Sequence, residues 1–209
     1  HMWSEAEKNA AIVAADPRSG VETVTEAEYI VAKSCLATSR REDAFAMLER
    51  LSQDVSSNYG AEAAYMIIQD CYDRGDFEAV EEKVYSFADA GSGQLYWMAR
   101  SFIVLGDSFV ERDDLHQAKA TFESVRDGYT PASDEDDVLD NVMMRLRKLE
   151  EMSQEEQENA PSSARGSEIA PLAAARMILC GSIGCPRRCL EQRSVHIRHW
   201  QQAAMDLLI

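Results

Sequence analysis

From Ala61 to Phe87 the apolar positions fall at Ala64, Ile67, Ile68 and Cys71, break at Gly75-Asp76, and resume at Phe77, Val80, Val84 and Phe87. Steps of three and four put each set on one face of an α-helix, so the stretch predicts two helices folded back on each other about a short turn. The arrangement returns from Ala99 to Val125. There Phe102, Leu105, Gly106 and Phe109 precede a turn at Asp113-Asp114, and Leu115, Ala118, Phe122 and Val125 follow it. A fainter copy begins near Thr25, with Val31, Ala32 and Cys35, a turn at Ser39-Arg40, and Ala44, Leu48 and Leu51. The three copies start 36 and 38 residues apart. Helical hairpins recurring at that period predict a solenoid, in which each unit buries its apolar face only against its neighbours.

Proline scarcity fits long helices: between Val24 and Met152 the chain has one proline, Pro131. An all-β chain needs a turn every eight to twelve residues or so, and these turn signals are missing. After Pro131, Ser133 or Asp134 is expected to cap a last amphipathic helix carrying Val138, Val142, Leu146 and Leu149, with the neighbouring acids in its first turn. Such a helix would cover the end of the array.

These hairpins resemble the tetratricopeptide repeat. The third copy carries the resemblance best, through Phe102, Leu105, Gly106, Phe109, Ala118 and Phe122; the second shares Ile67, Gly75 and Phe77, and the first Ala32 and Ala44. The block from Tyr96 to Tyr129 is similar to the C-terminal repeats of large tetratricopeptide proteins from Bacteroidetes. The resemblance implies an all-α, right-handed superhelix of antiparallel hairpins over residues 25–152, with a C-terminal capping helix. It implies an interaction scaffold of the bacterial cell envelope, with the periplasm favoured, and no reaction.

It also implies which side chains line the concave groove. They are Glu26, Tyr29, Lys33, Leu36 and Ala37 of the first unit, Glu62, Tyr65, Gln69, Tyr72 and Asp73 of the second, and Arg100, Ile103, Asp107, Val110 and Glu111 of the third. Tyr29, Lys33, Glu62, Tyr65, Gln69, Tyr72, Arg100 and Asp107 are the candidate partner-binding set. Tyrosines offer contact area at low entropic cost and the polar groups fix register, which suits a peptide groove. The lysine and asparagine clamp with which some repeats of this family hold C-terminal carboxylates is not reproduced.

Charge divides the chain. Residues 1–159 carry 34 acids and 15 bases, a net of −19, whereas residues 160–209 carry 3 acids and 6 bases, all arginine, a net of +3. A glutamate-, glutamine- and serine-rich stretch opens the boundary, so residues 153–168 read as a linker and 169–209 as a tail whose origin, native or foreign, the sequence leaves open. Residues 1–24 read as a lead-in whose His1-Met2 is an expression-tag remnant, with the native beginning expected to be missing. The overall charge of −16 repels phosphate backbones and anionic headgroups, so neither nucleic acid nor direct membrane insertion is expected.

Catalytic signals are scarce. Residues 1–159 hold neither a glycine-rich phosphate loop nor paired histidines on a helix face, and His116 is the one histidine besides His1. The acids between Ser133 and Asp140 lack the ligand alternation and central glycine of a calcium loop. Cys35 and Cys71 sit in the hairpin seams as core thiols. Cys180, Cys185, Cys189, His196 and His199 lack the short paired spacings of a structural zinc site. The chain therefore reads as a non-enzyme without cofactor or metal, a scaffold binding a protein or peptide in its groove. The alternative is a self-associating accessory subunit, a homo-oligomer with no peptide ligand.

Overall fold

The computed structural model describes residues 2–159, and among them every regular element is an α-helix. In chain order these are α1 (Met2–Ala15), α2 (Val21–Ala37), α3 (Arg41–Leu51), α4 (Asn58–Asp73), α5 (Phe77–Asp89), α6 (Leu95–Glu111), α7 (Leu115–Gly128) and α8 (Val138–Asn159). The expected hairpins are α2–α3, α4–α5 and α6–α7. Within each the two helices pack together, and the second helix of each also packs on the first helix of the next. The first helices form their own row, α2 on α4, α4 on α6 and α6 on α8.

The turns explain why the hairpins repeat. Ser39, Gly75 and Asp113 all adopt positive φ, at 62°, 73° and 60°. Each sits just past the end of a first helix, where a left-handed residue lets the chain double back and satisfy the last carbonyls. Arg40, Asp76 and Asp114 donate their backbone N–H to the carbonyls of Cys35, Cys71 and Phe109, each at 2.9 Å. Asp76 and Asp114 then cap the following helix, their carboxylates accepting from the N–H of Ala79 at 3.2 Å and Gln117 at 3.1 Å. Arg40 makes no such side-chain cap, which fits the faint repeat signal of the first hairpin.

The largest apolar cluster spans α4 to α8. Phe102, Phe109 and Phe122 are its bulkiest fully buried side chains. Gly106 lets α7 approach: a methyl at this position would lie 2.3 Å from Phe122 Cε1. Gly60 serves the α3–α4 junction in the same way, since a methyl there would meet the Asp54 carbonyl oxygen at 2.0 Å. The junctions before α4 and α6 are tied to each other. Gln94 Nε2 donates to the Ser56 carbonyl at 3.0 Å, and Trp97 Nε1 to Asn58 Oδ1 at 2.9 Å.

Three elements differ from the periodicity reading. Residues read as lead-in contain α1, which packs on α2, and α2 starts at Val21 rather than near Thr25. The alanine-rich run of α1 gives little hydrophobic contrast, although alanine is the best helix former. At the other end, α8 continues through Asn159 into the stretch read as linker, because its glutamates and glutamines favour helix and no proline comes before Pro161. The helix begins at Val138, not after Ser133 or Asp134. Asp136 accepts from the Tyr129 hydroxyl and from the N–H of Ala132 and Val138, pinning the acidic segment as a loop. Val138, Val142, Leu146 and Leu149 are buried as expected. The tail, with its three cysteines and two histidines, lies outside the described residues.

Candidate partner-binding face

All eight candidate residues are half-buried, and they lie on the row of first helices. That row carries the side chains of successive hairpins into contact, because equivalent positions on α2, α4, α6 and α8 stand beside one another.

At the α2–α4 step, the Tyr29 ring lies 5.1 Å from that of Tyr59. Lys33 Nζ sits 5.5 Å from the Tyr29 ring centre and 3.4 Å from Glu62 Oε1. Burial, with the adjacent Glu62 carboxylate adding to it, pushes the Tyr29 phenol well above the ordinary tyrosine range. Tyr59 is raised too, by burial and by Glu26, Glu22 and Glu62 around it.

The α4–α6 step is an aromatic cluster around one cation. Tyr65 lies 5.4 Å from Trp97, and Trp97 packs edge-on to Tyr96 at 4.9 Å. The Arg100 guanidinium stands over both tyrosine rings, 5.3 Å from Tyr65 and 5.6 Å from Tyr96. It donates to the Tyr96 hydroxyl at 2.9 Å and to Asp137 at 3.3 Å. Burial works against this cation, but the hydroxyls of Tyr65 and Tyr96 outweigh it and hold Arg100 protonated. The Tyr65 hydroxyl in turn donates to Gln69 Oε1 at 3.4 Å, and Gln69 Nε2 to Asp73 at 2.9 Å.

At the α6–α8 step Arg145 grips Asp107 with two parallel bonds of 2.7 and 2.8 Å. Tyr72 stands nearby. Burial raises its phenol above the ordinary range, helped by Asp107 and Glu111. A pocket of about 150 Å³ opens between α4, α6 and α8, with Tyr65, Arg100, Asp107, Asn141 and Arg145 on its wall.

The outcome for the candidate set is mixed. Tyr29, Lys33 and Glu62 meet at the α2–α4 step and Tyr65, Gln69 and Arg100 at the α4–α6 step, while Tyr72 leans toward its own hairpin, 5.8 Å from Phe77. Ile103 is buried and lines the pocket between α4, α6 and α8 beside Arg100 and Asp107, whereas Leu36 packs on the separate cluster of α1, α2 and α3. Lys33, Arg100 and Arg145 are each already paired with a carboxylate. Tyr59, Tyr96, Trp97, Asp137, Asn141 and Arg145 were missed. The period itself held the signal for Arg145, since it follows Asp107 by 38 residues with opposite charge. Tyr96 and Trp97 precede the assigned start of the third unit, so an alignment anchored at Ala99 left them out.

Among the described residues, no group of three or more His, Cys, Asp or Glu side chains is placed to hold a metal ion. No described helix is long and apolar enough to cross a membrane. Scans against protein-family models, curated proteins and solved structures return no match to this chain.

Proposed function

We propose that this chain is a non-catalytic scaffold of the tetratricopeptide type, a right-handed superhelix of hairpins capped by α8, that binds a protein or peptide segment along the row of first helices. The observation that carries the reading is two ring clusters on three successive first helices, Tyr29 with Tyr59 and Tyr65 with Trp97 and Tyr96. Rings already braced by their neighbours lose little freedom on binding, and they offer both apolar area and faces that accept cations.

Charge selects the partner. Around this face stand seven acids (Glu22, Glu26, Glu62, Asp73, Asp107, Glu111 and Asp137) against three bases (Lys33, Arg100 and Arg145), a local excess of four negative charges. Since the bases are occupied by intramolecular pairs, the face favours a segment with Lys or Arg flanked by apolar side chains.

A random peptide display library selected on the full chain tests this. Enriched peptides should carry Lys or Arg beside Leu, Ile or Phe. Titration calorimetry with one such peptide should then show Tyr65→Ala weakening binding by about 1–3 kcal/mol, with the exposed Glu82→Ala on α5 leaving it unchanged. Added salt should weaken the complex only modestly, because its anchors are apolar. Equal affinities for wild type and Tyr65→Ala would place binding elsewhere, and enrichment of acidic peptides would refute the charge argument.

A further inference from the structure

A pocket of about 300 Å³ opens between the end of α3, α4 and α5. Its floor is apolar, made by Ala64, Ile67 and Ile68 of α4 and Phe87 of α5, all of them buried side chains. None of the candidate partner-binding residues lines it.

The repeat explains why the space is there. Gly75-Asp76 and Asp113-Asp114 are the same turn 38 residues apart, so Ala64 corresponds to Phe102, Lys83 to Thr121 and Ser86 to Ser124. One hairpin further along, Phe102, Thr121 and Ser124 are buried and close the equivalent place. At the pocket a methyl group stands where the next hairpin carries a phenyl ring, and Lys83 is exposed at the mouth.

The rim offers donors rather than acceptors. The carbonyl oxygens at the end of α3 are already taken. Glu49 accepts from Ser52 Oγ at 3.0 Å and from Gln53 Nε2 at 3.1 Å, and Leu48 and Leu51 accept from the N–H groups of Ser52 and Asp54. Lys83 is the one charged side chain on the pocket wall. Among the described residues, neither its ammonium group nor the Ser86 hydroxyl is engaged in an ion pair or hydrogen bond. An apolar floor beneath an unengaged ammonium and hydroxyl fits a molecule with an apolar body and an anionic end. Residues 1–159 carry a net charge of −19, so most of the surface repels such a molecule, but no acid lines this wall.

We infer that this pocket binds a small aliphatic carboxylate, its hydrocarbon body on Ala64, Ile67, Ile68 and Phe87 and its carboxylate held by Lys83 and Ser86. The inference does not rest on the peptide-binding reading, because the two sites share no residue.

Titration calorimetry of the full chain with straight-chain carboxylates from butanoate to decanoate tests it. Affinity should rise by up to about fourfold for each added methylene, the equivalent of about 0.8 kcal/mol, and level off once the floor is covered. Octylamine should bind more weakly than octanoate. Lys83→Met, at an exposed position, should weaken octanoate by about fivefold or more and leave octanol unaffected. Ala64→Phe puts in the pocket the ring that α6 carries at Phe102, and with unchanged circular dichroism it should abolish octanoate binding. In isoleucine-methyl spectra of the wild type, octanoate should shift Ile67 and Ile68 and leave Ile30 unmoved. The inference is overturned if no carboxylate of the series binds, if the amine binds as tightly as octanoate, if Lys83→Met binds octanoate as wild type does, or if the spectral shifts spare Ile67 and Ile68.

Discussion

Gly106→Ala sets two effects of opposite sign against each other, and the geometry decides between them. In an exposed helix interior the change would stabilise by about 0.8–1.0 kcal/mol, because alanine loses less backbone entropy than glycine. Here the new methyl would lie 2.3 Å from Phe122 Cε1, 2.7 Å from Cζ and 2.8 Å from Cδ1. Comfortable carbon–carbon contact is about 3.5–4.0 Å, so the ring would have to retreat by about 1 Å. Phe122 has no exposed surface, and Phe102, Leu105 and Phe109 of the facing helix are equally enclosed. A ring so enclosed displaces others when it moves. Overpacking of this kind costs about 1–3 kcal/mol, which exceeds the propensity gain over most of its range. The expected net is a loss of about 1 kcal/mol for Gly106→Ala, and of more for Gly106→Leu. Urea denaturation followed by circular dichroism measures it, with Gly93→Ala as the control, since a methyl at Gly93 meets nothing within 4 Å. Phe122→Leu in the Gly106→Ala background should recover part of the loss, a coupling of about 0.5 kcal/mol or more. A Gly106→Ala protein about 1 kcal/mol more stable than wild type would show that propensity alone operates there, and that α6 and α7 do not approach as described.

Other consequences can be checked in the same assay. Gly60→Ala should cost about 3 kcal/mol, more than Gly106→Ala, because its methyl would meet the backbone oxygens of Asp54 and Leu51 rather than a side chain; a neutral result would contradict the α3–α4 junction. Ser39→Gly and Asp113→Gly should each raise stability by about 0.5–1 kcal/mol, since both hold positive φ, and Gly75→Ala should lower it by a similar amount. The folded-state pKa of Tyr29 is raised by burial and Glu62 above the ordinary 10.0. Its contribution is therefore fully present below about pH 10 and is lost as pH rises beyond that, because the unfolded phenol ionises where the folded one resists. The urea midpoint should fall on the alkaline side of pH 10, less steeply in Tyr29→Phe; identical pH profiles for the two proteins would contradict the buried setting of the phenol.

Much of the fold is local in origin, and that part was legible. Val80, Val84 and Phe87, or Ala118, Phe122 and Val125, declare a helix face through spacing alone. The turns at Ser39-Arg40, Gly75-Asp76 and Asp113-Asp114 declare themselves where the apolar spacing breaks. Charge marked the change of composition near residue 160 for the same reason, since it needs no partner to be read. α1 escaped notice because a run of alanines has no hydrophobic contrast, and its single fully buried residue, Ala10, is defined only by α2. The start of α8 was misplaced because a serine or aspartate can cap a helix or brace a loop with the same hydrogen bonds. Asp136 took the second course once Tyr129 came within reach.

The sequence by itself determined three helical hairpins, their turns, the buried stripes of α2 to α8 and an acidic composition over residues 1–159, because each of these is legible without knowing what packs on it. Which side chains of successive first helices meet was decided only by tertiary structure. Arg100 on Tyr65 and Asp137, Lys33 on Glu62 and Arg145 on Asp107 join residues 29 to 38 positions apart. Their pairing depends on how each first helix is set beside the next. The same packing set Tyr59 beside Tyr29 and Trp97 beside Tyr65, since a helix face is apolar or polar by composition but inward or outward only by what packs on it.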